Sequence, residues 1–213
     1  QGHGQTELLN AVSGLYPLVK GEIIVNGKSE KIKSASQAIQ CGVALVPADR
    51  KRQGLMLELS NRHNLAVSSM KKRMNGPFID QKAESSFAED MVKRLSIKLG
   101  GLELPVSSLS GGNQQKIVLG KELATEPKVI LFDEPTRGID VAAKVEIYNL
   151  MNQLKQNGIG VMFVSSEMPE VMGMSDRIIV MCDGRITGEL SAEEATQDMI
   201  LTKATQFEQK TAL

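Results

Sequence analysis

The sequence predicts an α/β fold built on a mainly parallel sheet, with an antiparallel β part. Three short apolar runs, at residues 43–47, 128–132 and 160–165, are separated by stretches with helical periodicity. Runs that are apolar throughout are typical of parallel strands covered by helices on both faces. A strand at 21–25 closes on the tight-turn pair Asn26-Gly27, and Asp183-Gly184 turns the strand at 177–182 into a final hairpin.

Helical periodicity with little β-branching predicts the helices between these strands. One helix is predicted to begin at residue 6, and the others are predicted at residues 36–41, 62–73, 81–95, 112–124 and 141–157. The middle of the chain is therefore expected to be mostly helical, and the Gly-, Pro- and Ser-containing stretch 100–108 is expected to be a linker. This divides the chain into a core, residues 1–59 and 109–213, and a helical subdomain with its linker, residues 60–108.

The composition is that of an ordinary core-forming domain. The chain has 213 residues, 41% of them hydrophobic, and a formal net charge of zero, so bulk charge does not predict a nucleic-acid partner. The apolar runs fall short of the roughly 20 residues that a membrane span needs. Cys41 and Cys182 are far apart and fit reduced thiols better than a disulfide or a metal site. The basic run at 49–52 is expected to be a solvated loop.

Four local patterns follow one another in a fixed order. In chain order they are Gly2-His3-Gly4-Gln5-Thr6 opening a helix, LSGGNQ at 109–114 opening another, a strand ending in Asp133-Glu134-Pro135, and Gly138-Ile139-Asp140 just beyond it. A glycine pair at a helix start is by itself often a cap, and two acids after a strand occur in many sites. The occurrence of all four in this order and at these separations makes chance a poor explanation.

Together these patterns resemble the ABC ATPase family across nearly the whole chain. In that family LSGGQ is the signature, DEP closes the Walker B strand, and the following turn, here residues 138–140, is the D-loop. The runs LSGGNQQK and DEPTRGID are most similar to the tandem ATPase subunits of ribose-, galactose- and xylose-type importers, and specifically to their second, C-terminal cassette. The resemblance implies a P-loop NTPase-like core with an inserted helical subdomain.

The resemblance implies that the first pattern is a phosphate loop, with nucleotide-binding positions Gly2, His3, Gly4, Gln5, Thr6 and Glu7. Backbone N–H groups at a helix N-terminus bind anions, and the full pattern is G-x-x-x-x-G-K-[ST]. Its first glycine would fall just before Gln1, and since the chain begins without Met we expect a fragment. The lysine position is the neutral Gln5. His3 is either a stand-in cation or, as we expect, a solvent-facing loop residue.

The acidic turn implies the metal and catalytic positions. Thr6 and Asp133 are expected to hold Mg²⁺, and Glu134 to polarise the attacking water. The family's switch histidine corresponds to Ser166, which is predicted to occupy a catalytic position without the reach or charge of an imidazole. The family's metal-sensing glutamine corresponds to Ala48. With Gln5, these departures predict a degenerate site that binds ATP weakly or hydrolyses it slowly.

The signature pattern is intact. By resemblance, Ser110 and the N–H groups of Gly111 and Gly112 face the γ-phosphate of a nucleotide held by the opposite cassette of a head-to-tail pair, with Asp140 of the D-loop beside them. This cassette is therefore expected to complete the partner's nucleotide site more effectively than it binds and hydrolyses ATP at its own site.

The resemblance also implies cofactors and partners. The cofactors are ATP and Mg²⁺. The partners are another cassette in the same full-length chain, membrane permease subunits contacted by residues 60–99 and, indirectly, a periplasmic or extracellular sugar-binding protein. The chain is expected at the cytoplasmic side of the membrane, and no nucleic-acid partner is expected. A DNA-repair type of ABC ATPase is rejected, because the span of about a hundred residues between phosphate loop and signature lacks the sustained heptads of a coiled coil. A ribosome-associated tandem ABC protein and a binding module without turnover both remain open.

Overall fold

The predicted strands are present in the predicted order. The computed structural model describes residues 2–206. Its strands are β1 Ile23–Val25, β2 Lys28–Glu30, β3 Val43–Val46, β4 Met74–Asn75, β5 Phe78–Ile79, β6 Val129–Asp133, β7 Gly160–Val164, β8 Arg177–Cys182 and β9 Arg185–Ser191. Its helices are α1 Gln5–Val12, α2 Ala35–Cys41, α3 Asn61–Ala66, α4 Gln81–Arg94, α5 Gly111–Leu123, α6 Val141–Gln156, α7 Met168–Met174 and α8 Gln197–Ala204. Among residues 2–206, no helix has the length and apolar character needed to cross a membrane.

The central sheet has three parallel strands in the order β3-β6-β7. Asp133 at the end of β6 pairs with Val164 at the end of β7. Ile130 of β6 belongs to the core cluster formed with α5 and α6, whereas Leu131 packs in a second cluster with Leu9 of α1. Because successive strand residues point to opposite faces, both faces of the sheet are covered. The predicted α/β fold with a mainly parallel sheet is confirmed.

The carboxyl-terminal edge of this sheet collects the polar residues that follow its strands. β6 ends at Asp133 and continues into Glu134, while β7 continues into Ser165 and Ser166. Parallel strands all end on the same edge, which is where ligands bind in open α/β sheets. Helix α1 delivers Thr6 to the same edge, because Thr6 contacts Asp133.

Both predicted turns are confirmed as antiparallel hairpins, β1–β2 and β8–β9. Asn26 and Gly27 have φ angles of 52° and 75°, and Asp183 and Gly184 have φ angles of 48° and 72°. Two successive positive φ angles are typical of the type I′ turn, whose twist matches that of the flanking strands. Helix α8, after the second hairpin, has no counterpart in the prediction.

The middle of the chain is less helical than predicted. Helix α3 ends at Ala66, and a 3-10 run, Val67–Arg73, follows it with an interruption at Ser69. Arg73 Nη2 donates to the Ala66 carbonyl at 3.1 Å, so a side chain binds a carbonyl that a continuing helix would use. The small antiparallel pair β4–β5 then precedes α4. The single helix predicted over residues 62–73 is therefore wrong beyond Ala66.

The basic run after β3 is more ordered than predicted. Residues Arg50–Gly54 form a π-helical turn, and Asp49 Oδ1 caps it by accepting from the N–H groups of Lys51 and Arg52 at 3.1 Å each. Lys51 and Arg52 are exposed, as a solvated loop requires. The prediction is wrong for Arg50, whose guanidinium is hydrogen-bonded to backbone carbonyls of the D-loop region.

Candidate functional site

The loop before α1 has the backbone of a glycine-rich turn. Gly2 and Gly4 have φ angles of 85° and 99°, and Gly4 immediately precedes α1. A Cβ atom at Gly4 would lie 3.1 Å from Gly184 Cα, so both the conformation and the neighbouring hairpin favour glycine. Such a loop brings the free N–H groups of a helix start within reach of an anion. Gln1, which precedes Gly2, lies outside the described residues.

Thr6 and Asp133, the predicted Mg²⁺ ligands, are in contact. Thr6 Oγ1 donates to Asp133 Oδ1 at 3.3 Å, which joins α1 to the end of β6. Burial raises the pKa of Asp133, and the Glu134 and Glu7 carboxylates raise it further, while the Thr6 hydrogen bond lowers it. Glu7 itself is exposed. Hydroxyl and carboxylate oxygens suit Mg²⁺, and a cation here would stabilise the buried charge, so these residues fit the ion.

We expect Asp133→Asn to stabilise the nucleotide-free protein while weakening its Mg²⁺-dependent affinity for nucleotide. Because the pKa of Asp133 is raised above 3.8, the folded state holds this proton more tightly than the unfolded chain does, and stability falls as pH rises through that range. The neutral amide should therefore gain roughly 1 kcal/mol of unfolding free energy at pH 7. Urea unfolding measures this gain.

The exposed Asp90 of α4 offers a matched control, since Asp90→Asn should change the unfolding free energy little. In acid, where Asp133 is protonated, the advantage of Asp133→Asn should disappear. A variant that is less stable than the parent protein at pH 7 would contradict the assignment of an unfavourable buried charge to Asp133.

Gln5, at the position of the family's lysine, is turned onto its own loop. Gln5 Oε1 accepts a hydrogen bond from the His3 backbone N–H at 3.1 Å. That N–H is one of the donors that a phosphate would use, and a neutral amide adds no positive charge. A phosphate entering the loop therefore has to displace the Gln5 side chain.

His3 is not the solvent-facing loop residue that was predicted. Its side chain is 22% exposed, and its Nδ1 lies 3.5 Å from Asp183 Oδ1. Nδ1 accepts from the Asp183 N–H at 3.3 Å, and the His3 carbonyl accepts from the Gly184 N–H at 2.9 Å. His3 therefore ties the phosphate loop to the β8–β9 turn, where Cys182 is also close.

Glu134 and Ser166, the predicted catalytic and switch positions, are also in contact. Ser166 Oγ donates to Glu134 Oε2 at 3.0 Å. The Glu134 N–H donates to the Val164 carbonyl at 2.9 Å, so the acidic turn is fixed to the end of β7. Glu134 has a φ of 48°, a conformation that is uncommon for a residue with a Cβ. The structure thus brings both predicted positions to one point of the sheet edge.

A cavity of about 350 Å³ lies beside Thr6 and Asp133. Its lining includes Thr6 and Asp133 together with Gln53 from the π-helical turn. The family's metal-sensing glutamine corresponds by sequence to Ala48, which offers no amide. Gln53 places an amide on the same cavity from five residues further along, a contribution that position-by-position comparison missed.

Sequence reasoning also missed the role of Glu170. Glu170 lies in the first turn of α7, and its side chain is only 4% exposed. It accepts from Thr136 Oγ1 at 2.5 Å, Tyr148 OH at 2.5 Å, Ser165 Oγ at 2.7 Å and Lys144 Nζ at 3.4 Å. Burial would raise the pKa of Glu170, but the hydroxyl hydrogen bonds lower it overall. The carboxylate therefore fastens the segment that carries Ser166 to the turn after β6.

The signature residues form the start of α5. Ser110 is exposed and immediately precedes the helix. Asn113 Nδ2 donates to Ser110 Oγ at 2.9 Å, and Asn113 Oδ1 accepts from the Lys98 N–H at 2.8 Å. Because Ser110 Oγ accepts from Asn113, its own hydrogen is available to a ligand outside the helix. Asn113 thereby fixes Ser110 as a hydrogen-bond donor.

The predicted nucleotide-binding residues fall into two groups of contacts. The first contains the phosphate loop with Asp133, Glu134 and Ser166. The second contains the signature turn and the D-loop: a Cβ at Gly112 would lie 2.5 Å from Ala143 Cβ, so α5 and α6 meet closely. Asp140 is exposed and accepts from the Ala143 N–H at 2.9 Å as the cap of α6.

We expect Gln5→Lys to strengthen ATP binding at this chain's own loop. The substitution removes the amide acceptor that occupies the His3 N–H and adds a cation that can reach the phosphates. A charge-assisted contact of this kind should raise affinity about tenfold, and the gain should shrink with added salt. Titration with a fluorescent ATP analogue measures it. Gln5→Met, which also frees the N–H but adds no charge, is the control, and equal affinities for the two variants would contradict the electrostatic explanation.

Sequence comparison agrees with this arrangement of loop, acidic turn and signature on a parallel sheet. Residues 1–137 match the family described as ABC transporter, and the chain belongs to that family. The matched region runs from the phosphate loop through the signature helix to the acidic turn after β6.

Similar proteins include importer subunits. The xylose import ATP-binding protein XylG of Moorella thermoacetica is 51% identical over 205 residues, covering 96% of this chain. The ribose import ATP-binding protein RbsA of Oceanobacillus iheyensis is 49% identical over 204 residues, again covering 96% of this chain. The chain spans only 40% and 41% of the lengths of these two relatives.

Solved structures agree on the fold. An ATP-binding cassette of an ABC transporter matches with a TM-score of 0.79 at 22% identity, over 97% of this chain and 84% of that one. A nucleotide-free cassette matches with a TM-score of 0.74 at 23% identity, over 90% of this chain and 77% of that one.

Proposed function

We propose that this chain is an ATP-binding cassette that couples ATP binding and hydrolysis to monosaccharide import through a membrane permease. The contact between Thr6 Oγ1 and Asp133 Oδ1 carries the nucleotide part, because it places an oxygen pair suited to Mg²⁺ at the sheet edge beside the phosphate loop. The names of the relatives, xylose and ribose import ATP-binding proteins, support the transport part. The proposed location is the cytoplasmic face of the membrane, as a peripheral subunit whose permease also engages a sugar-binding protein.

The chain is further proposed to be the second of two cassettes in one full-length subunit. It matches about two fifths of each relative, which leaves room there for another cassette. In this proposal residues 1–59 and 109–213 form the ATP-binding core, and residues 60–108 form the helical subdomain and its linker. The β4–β5 hairpin of that subdomain exposes Phe78, Ile79 and Met74, with Phe78 75% exposed. Apolar side chains exposed together mark interaction surfaces, so this segment is proposed to contact the permease.

The residues of the chain's own site are proposed to have separate chemical roles. When bound, Mg²⁺ supplies positive charge next to the phosphates, with Thr6 and Asp133 as its protein ligands. Glu134 would hold a proton of the attacking water, but its Oε2 already accepts from Ser166. The Ser166 hydroxyl therefore competes with the attacking water for this carboxylate oxygen.

The own site is therefore proposed to be weak. Gln5 adds no charge and closes the loop, Ala48 offers no amide, and Ser166 cannot reach a γ-phosphate as an imidazole can. The signature turn keeps its residues, with Ser110 exposed and oriented as a donor by Asn113. Its proposed substrate contact is the γ-phosphate of a nucleotide held by the other cassette, in a head-to-tail pair.

The test uses the full-length protein assembled with its permease in vesicles, with the other cassette's site disabled by removal of its catalytic carboxylate. We expect slow residual hydrolysis from the site of this chain. A rate equal to that of the undisturbed transporter would overturn the degenerate-site proposal. ATP consumption that ignores permease and sugar would overturn the transport role and favour a soluble or ribosome-associated ABC ATPase.

A nucleotide-binding module without turnover is a second candidate, favoured by the bond between Ser166 and Glu134. The same full-length protein with the other cassette's site left intact distinguishes it, because ATP would then be recovered unhydrolysed from this site after many turnovers of the other.

A further inference from the structure

The π-helical turn after β3 contacts the D-loop region through the Arg50 side chain. Arg50 Nη1 donates to the Arg137 carbonyl at 2.8 Å, and Nη2 donates to the Gly138 carbonyl at 3.0 Å. Two carbonyls are thus held by the two ends of one planar fork, a geometry that a guanidinium provides and an ammonium does not. The neighbouring cations Lys51 and Arg52 are exposed.

Arg50 also lies against the signature turn. A Cβ atom at Gly111 would be 2.8 Å from Arg50 Nη2, so the first residue of α5 and the guanidinium are in direct contact. Burial lowers the pKa of Arg50, and its Nε is buried without a hydrogen-bond partner among the described residues. Burying a charged group costs free energy unless contacts offset it. The two carbonyl bonds therefore hold Arg50 at this junction against an opposing desolvation cost.

The other end of the same turn reaches the cavity beside Thr6 and Asp133. Gln53 lines the cavity shared by Thr6 and Asp133. Gly54 is buried against Val118 of α5, with a Cβ at Gly54 placed 2.9 Å from Val118 Cγ2. Lys121 Nζ of α5 donates to the Gly54 carbonyl at 2.7 Å. One five-residue turn thus touches the chain's own site at one end and the signature at the other.

We infer that Arg50 is a positioning residue that sets the signature turn and the D-loop against the partner cassette's nucleotide. The turn Arg50–Gly54 then links occupancy of this chain's own cavity to the geometry of Ser110 and Asp140. The inference rests on the proposed role of Ser110 at the partner's site.

The experiment measures ATP turnover by the full-length transporter in vesicles for Arg50→Met, Arg50→Lys and the matched control Arg52→Met. Arg52 belongs to the same turn, and its side chain is 88% exposed. We expect Arg50→Met to lower kcat about tenfold with KM for ATP nearly unchanged, because the partner's loop still binds ATP. Arg50→Lys should show a smaller loss of the same kind, and Arg52→Met should match the parent protein.

A second measurement separates positioning from general loss of structure. In a Ser110→Ala background, Arg50→Met should add little further loss, since both changes act on the same contact. Hydrogen exchange at the amides of residues 138–140 should quicken in Arg50→Met and in Arg50→Lys. If Arg50→Met is too unstable to purify, Arg50→Lys supplies both readouts.

The possible failures are distinguishable. If Ser110→Ala leaves turnover unchanged, the proposed role of the signature falls and the inference falls with it. If Ser110→Ala slows turnover while the Arg50 variants behave like Arg52→Met, or if the losses from Arg50→Met and Ser110→Ala simply multiply, the role of Arg50 is overturned and the proposed function stands.

Discussion

Ser110→Ala should slow ATP turnover at the partner cassette's site about a hundredfold, the effect typical of removing one preorganised donor from a developing charge. Ser110 Oγ accepts from Asn113 Nδ2, which leaves the hydroxyl hydrogen available to an external acceptor. Gln5→Ala should change total turnover by less than about twofold, because a neutral side chain folded onto its own loop adds little to transition-state stabilisation. Steady-state kinetics of the full-length transporter measure both effects.

Ser107→Ala is the control for this comparison, since Ser107 is an exposed serine on the same approach to α5. It should leave kcat and KM unchanged. The ranking of the other two variants is the decisive result: a large loss from Gln5→Ala with a small loss from Ser110→Ala would mean that this cassette's own site does most of the hydrolysis.

Glu170→Leu should lower the free energy of unfolding by about 3 kcal/mol or more. The substitution removes a carboxylate that accepts hydrogen bonds from three hydroxyl groups and from Lys144. Those donors then lose this acceptor in the protein interior. Leucine has a similar volume, so the loss reports the hydrogen bonds more than a cavity. Urea unfolding with two independent probes measures it.

The pH dependence gives a second signature of Glu170. Its pKa in the folded state is lowered below 4.5, so its contribution to stability is present above that value and is lost as pH falls through the folded-state pKa. The difference between Glu170→Gln and the parent protein should therefore shrink in acid. Glu167→Gln, at a side chain 51% exposed one turn earlier, is the control and should cost well under 1 kcal/mol. Equal losses from the two substitutions would show that burial of Glu170 is not what matters.

The strands and most helices could be predicted because their signals are local. An apolar run such as that of β6 has to be buried on both faces, and an Asp-Gly pair favours a turn wherever it occurs. The prediction failed where a side chain from elsewhere intervened. The helix expected over residues 62–73 ends at Ala66, whose carbonyl is taken by Arg73.

The residues of the candidate site were likewise predicted in part. Residue types at family positions predicted Thr6 and Asp133 as Mg²⁺ ligands and Glu134 and Ser166 as catalytic positions, and the two members of each pair lie within hydrogen-bond distance. His3 was misjudged because its partner, Asp183, lies 180 residues away along the chain. Gln53 was missed because the family's glutamine corresponds by sequence to Ala48, whereas the π-helical turn brings Gln53 to the cavity from five residues further along.

By itself, the sequence determined the order of strands and helices, the two hairpin turns and the residue types available for nucleotide chemistry. The tertiary structure decided which of those residues meet. Arg50 bonds carbonyls 87 and 88 residues away, and Glu170 is enclosed by groups from three other segments. The physical reason is that local propensity depends on near neighbours in the chain, whereas a buried charge is tolerated only where distant segments pack to surround it with hydrogen-bonding partners.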